Sequence, residues 1–92
     1  MGINIQLRSI LDQLIDDNIK NARNFKLMAK IFKPFVGSED DFAFGSIIEE
    51  IVSSFSMIFV LINKRSIKEE ELIEVYNIIM SRAEEIYSVL SD

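Results

Sequence analysis

Along three stretches of the chain, apolar residues recur at steps of three and four, the repeat that gathers them on one side of an α-helix. The first stretch runs from about Asn4 to Lys33. Leu7, Leu11, Leu14, Asn18, Asn21, Phe25, Met28 and Phe32 form one row, with Ile15, Ile19, Ala22 and Ala29 beside it. Unbroken, such a helix would be about 45 Å long. Its weak point is Asp16-Asp17-Asn18, where residues that favour caps and turns cluster. One long, bent helix is the preferred reading. A break near Asp17 is the alternative and would add a fourth helix. Pro34 ends the run, because proline disfavours helical geometry at Lys33 and cannot donate to the preceding turn. Phe35-Val36-Gly37-Ser38 is then a connection.

Two capping patterns compete for the start of the second helix, Ser38-x-x-Asp41 and Ser46-x-x-Glu49. The first places Gly45 inside the helix at a cost of about 1 kcal/mol. It also sets Phe42 on the polar side near Glu49 and Ser53. Phe44 is in phase with Ile48, Ile51, Phe55, Ile58 and Ile62, which favours a start near Glu39. Asn63-Lys64-Arg65 closes this helix with positive charge at its negative end. Ser66-x-x-Glu69 is a third capping pattern and predicts the start of the last helix, which carries Leu72, Tyr76, Ile79, Ala83, Ile86 and Leu90 in one row. Ile73, Met80 and Tyr87 flank that row. The short turn between the last two helices predicts an antiparallel hairpin.

The apolar arc of the second helix is too wide for one buried stripe. From Ile47 to Ile62, eleven of sixteen residues are large and apolar, and they nearly encircle its C-terminal half. A helix that is apolar all round has to be surrounded. The expectation is therefore an all-α, single-domain chain over residues 1–92: an antiparallel bundle of three long helices, or four if the first breaks near Asp17, completed by dimerisation. Phe55, Ile58, Phe59, Ile62, Ile79 and Ile86 are the expected interface residues.

Composition narrows the chemistry. The chain has no cysteine and no histidine, which removes disulfides, most zinc sites, thiol nucleophiles and histidine acid–base pairs. The opening Met-Gly-Ile-Asn-Ile-Gln lacks a signal peptide's basic flank, and Gln6 spoils a myristoylation pattern. The longest charge-free stretch, Ile51 to Asn63, falls short of the roughly 20 residues a spanning helix needs. These features predict a cytoplasmic protein without a transmembrane segment. The net charge is −5, but Lys20, Arg23, Lys26, Lys30 and Lys33 carry +5 with no acid among them, leaving −10 to the rest. Spaced 3, 3, 4 and 3, the five cations fall within about 140° of one helix face.

That stripe could follow a phosphate backbone, meet anionic lipid headgroups or receive an acidic partner protein. The plain alternative is that its cations complement a helix dipole and pair with acids on the third helix. Phe32, Phe35, Phe42 and Phe44 bracket the loop, as a cap on the core or as an anchor for a partner. Acidic pairs at Glu49-Glu50, Glu69-Glu70-Glu71 with Glu74, and Glu84-Glu85 read as solvated faces and first-turn acids. Glu71-x-x-Glu74 resembles one acidic pair of the all-α nucleotide pyrophosphohydrolases, but the second acidic motif of those enzymes has no counterpart here. No glycine-rich phosphate loop is present, and no cofactor is expected. The leading function is a small non-enzymatic interaction or assembly protein acting as a homodimer. A nucleic-acid-associated regulator using Lys20 to Lys33 is second, and a metal-dependent nucleotide hydrolase third.

Overall fold

In the computed structural model, which describes residues 3–91, the chain is all-helical. It forms α1 (Ile5–Lys20), α2 (Ala22–Ile31), α3 (Glu39–Asn63), α4 (Glu69–Met80) and α5 (Ala83–Leu90). A single 3-10 turn at Lys33–Phe35 lies between α2 and α3. No strand occurs among the described residues. The molecule measures 41 × 22 × 18 Å, and α3, at about 37 Å, runs nearly its full length.

The N-terminal helix begins as its pattern predicts, with Asn4 accepting a hydrogen bond from the Leu7 N–H at 2.9 Å. It breaks at Asn21, four residues beyond the expected weak point. The Asn21 N–H is shared between the carbonyls of Asp17 and Asn18, both at 3.2 Å, and its side chain donates to the Asp17 carbonyl at 3.1 Å. Asn21 thus bonds back into the preceding turn with both its backbone N–H and its side chain, at the point where the helical geometry is interrupted. Asn18 stays helical, because its amide donates to the Leu14 carbonyl at 2.8 Å while its side chain is buried. The buried row is Leu7, Leu11, Ile15, Asn18, Ala22 and Ala29. The core therefore follows Ile15, Ala22 and Ala29, the neighbouring row, more closely than the Leu14–Phe25–Met28 row.

The second helix starts at Glu39, with Ser38 Oγ accepting from the Asp41 N–H at 3.1 Å. Ala43, Ile47, Ile51, Val52, Phe55 and Phe59 are its buried residues, and α1, α2, α4 and α5 all contact it. Lys64 ends it in the left-handed region (φ 59°), donating its N–H to the Val60 carbonyl. A side chain there costs about 1 kcal/mol relative to glycine. By length and composition α3 could cross a membrane, a test that the core helix of a soluble protein also passes.

The last helix starts two residues later than its capping pattern predicts, with Lys68 rather than Ser66 as its cap. Arg65 explains the delay. Its guanidinium grips the Glu71 carboxylate through two hydrogen bonds of 2.9 and 2.7 Å, donates to the Ser66 carbonyl, and lies 5.0 Å over the Phe59 ring. Glu71 also accepts from the Lys68 N–H at 2.8 Å, which makes Lys68 the cap. A second unforeseen break falls at Ser81–Arg82, separating α4 from α5. The buried row still runs through Val75 and Ile79 to Ile86 and Leu90, while Tyr76 faces out.

Two predictions follow from these details. Gly45 is exposed inside α3, and a methyl group there would meet nothing within 4 Å. Gly45→Ala should raise stability by about 1 kcal/mol in denaturant unfolding. The Arg65 and Lys68 donors hold the Glu71 carboxyl down to about 2 from its ordinary 4.5. Its contribution is therefore present above pH 4.5 and is lost as pH falls through about 2. Glu71→Gln should flatten that limb of a melting-temperature profile. An unaltered limb would show that the clamp contributes nothing.

Candidate functional site

Two surfaces concentrate chemistry outside the core: the cation-rich face of α2 and the outer side of α3. The five stripe residues sort into two groups. Lys26 is half-buried, and its ammonium donates to Asp40 Oδ1 and to the Leu90 carbonyl, both at 2.6 Å. One side chain thus joins α2 to the start of α3 and the end of α5. Lys30 and Lys33 share Glu39, at 3.4 and 3.0 Å. Hydrogen bonding from Lys33 holds the Glu39 carboxyl below the usual carboxylate range. Lys20 and Arg23 are exposed and form no ion pair among the described residues. The acids that meet the stripe sit at the start of α3. The last helix, which was expected to provide them, offers a backbone carbonyl instead. Lys20, Arg23 and Asn24 line an open groove that Val89 and Leu90 bound on the other side.

The expected interface residues separate in the same way. Phe55, Phe59, Ile79 and Ile86 are wholly enclosed by the chain's own helices, so they belong to the core and offer nothing to a partner. Ile58 is half-buried and Ile62 is exposed. The apolar residues that do face outward on α3 are Met57 (67% exposed), Val60 and Leu61 (68%). Residues 57, 60 and 61 lie on one side of the helix, opposite the row through Phe55 and Phe59. On α4, Ile73, Tyr76 and Met80 are exposed at steps of three and four. Of the six residues expected at an interface, four are core and only Ile58 and Ile62 reach the surface. A helix apolar on every side carries no mark of which side its own chain will cover.

The acids are largely committed to structure. Glu71 is held by Arg65, and no group of three potential metal ligands occurs among the described residues. Arg82, at the α4–α5 break, reaches Asp16 at 2.6 Å, Glu85 at 2.9 Å and the Asp12 carbonyl at 3.3 Å. Its acidic partners, Glu85 first and Asp16 next, push its pKa further up. Tyr87 donates to Asp41 at 2.8 Å and packs edge-on against Phe44 at 5.4 Å. That hydrogen bond raises the phenol pKa. Arg82 carries no sequence signal beyond being an isolated arginine, and Tyr87 reads in sequence only as part of the row flanking the last helix.

No family model matches this chain, and neither a curated protein nor a solved structure does.

The stripe's division yields a paired test. Lys26→Ala removes two short hydrogen bonds and leaves Asp40 without its partner, so it should cost about 1–3 kcal/mol in denaturant unfolding. Lys20→Ala, at an exposed position without a partner, should stay within about 0.5 kcal/mol of the parent. Equal effects would mean the buried and exposed cations are not distinct.

Proposed function

We propose that this is a small, non-enzymatic assembly protein that acts as a homodimer. Its helices form an antiparallel bundle, with α3 between the α1–α2 and α4–α5 arms, and a second copy covers the bundle's outer apolar side. The observation that carries this reading is the row Met57, Val60 and Leu61 on the outer face of α3. The three side chains adjoin one another on that face, and contiguous exposed apolar patches mark sites of association. A two-fold axis would set this face against itself, so one patch serves both subunits. Ile73, Tyr76 and Met80 on α4 offer further apolar area to the same assembly.

The nucleic-acid reading has less support. Three of the five stripe cations are spent on Asp40 and Glu39, which leaves Lys20 and Arg23 for phosphate. The hydrolase reading loses Glu71 to Arg65. A chain without cysteine suits a reducing compartment.

Light scattering over a range of concentrations should give twice the chain mass for the parent. Met57→Glu with Leu61→Glu should give a single chain mass with an unchanged circular-dichroism spectrum, since both side chains face away from the core. A parent that stays monomeric at high concentration would defeat this reading, as would a double variant that still dimerises.

A further inference from the structure

A different face of the molecule supports a second kind of contact. Arg23, Leu27, Ile31 and Phe35 follow one another at steps of four along α2 and into the 3-10 turn. Leu27 is 57%, Ile31 66% and Phe35 91% exposed, and Phe32 beside them is also exposed. Cations are interleaved throughout: Lys20 and Arg23 at one end, Lys30 and Lys33 along the flank. No acid lies between Asp17 and Glu39. Asp40 is occupied by Lys26, and the single carboxylate of Glu39 answers both Lys30 and Lys33, so the face keeps a net positive charge.

We propose that this face, the outer side of α2 with the Lys33–Phe35 turn, docks on an anionic lipid surface. Phe35, Ile31 and Leu27 enter the boundary between headgroups and acyl chains. Lys20 and Arg23 carry their charged groups up to the phosphates, while Lys30 and Lys33, held at Glu39, lay their aliphatic stems along that apolar row. The groove beside Lys20, Arg23 and Asn24 receives a headgroup phosphate. The mixture of side chains is what selects lipid. The centre of a protein–protein interface is depleted of lysine, whereas here lysine and large apolar residues alternate. A nucleic-acid backbone would use the cations and leave the Leu27–Phe35 row stranded. The rest of the chain is strongly acidic, so its repulsion from the same surface turns this end toward the membrane.

The test is sedimentation with vesicles of phosphatidylcholine alone, or with about a third phosphatidylserine, at low salt and at about 0.5 M salt. The parent should pellet with the anionic vesicles at low salt and stay in solution with the neutral ones. High salt should release most of it. Ile31→Ser with Phe35→Ser should weaken the partition by roughly tenfold or more, through lost apolar insertion. Lys20→Gln with Arg23→Gln should weaken it by roughly thirtyfold, at about 1 kcal/mol per cation. All four positions are exposed, so circular dichroism should be unchanged. No pelleting with anionic vesicles would overturn the proposal, and so would equal pelleting with both kinds. Pelleting that neither double variant reduces would do the same. Variants that alter the mass in solution and leave vesicle binding intact would make this face a protein interface, which also overturns it. The α3 variants Met57→Glu and Leu61→Glu should still pellet with anionic and not with neutral vesicles, even if more weakly as single chains, which keeps this result separate from the oligomer.

Discussion

Burial of one side of α3 is the constraint on which everything else depends. Ile47, Ile51, Phe55 and Phe59 have no access to solvent, and helices from both arms close over them. Phe55 and Phe59 are the two largest of the fully buried side chains. They are adjacent on that row, their ring centroids 6.3 Å apart. The polar links then act at the ends. Arg65 and Glu71 close the α3–α4 turn against the Phe59 ring, and Lys26 ties α2 to both the start of α3 and the end of α5. Arg82 fastens the middle of α1 to the α4–α5 break. The Lys26 and Arg82 links join elements more than sixty residues apart, whereas Arg65–Glu71 closes a local turn.

Satisfying the core from one side of α3 leaves the other side unfilled. Two helical arms in a chain this small leave Met57, Val60 and Leu61 uncovered. The same economy explains α2. Its inner side is small, with Ala22 and Ala29 buried, and this lets it lie close to α3 while Leu27 and Ile31 turn outward. The two outward apolar sets differ in their company. The α3 set has few charges near it, which favours a like surface. The α2 set is threaded with cations, which favours an anionic one.

Much of the fold was legible in sequence because it depends on local signals. Pro34 ends the first helical run, Ser38 caps α3 through the Asp41 N–H, and Lys64 stops it. The misses have a common cause, which is competition between local signals and distant partners. The Ser66 capping pattern lost to Arg65, whose hold on Glu71 and Ser66 moves the helix start to Glu69. Asp16-Asp17-Asn18 looked weaker than Asn21, yet Asn18 remains helical by donating to Leu14. The Ser81–Arg82 break has no glycine or proline to announce it. There Arg82 turns toward Asp16 and Glu85.

Periodicity and capping by themselves determined the helical class, the approximate ends of most segments and the excess of apolar surface, because each depends on residues within one or two turns of one another. Tertiary structure alone decided which side of α3 is core and which is outside. It also decided which cations are spent in ion pairs and where two of the helices bend. The physical reason is that burial and ion pairing are relations between residues up to seventy positions apart. A helix apolar on all sides, or a run of five cations, holds no record of which neighbour will arrive.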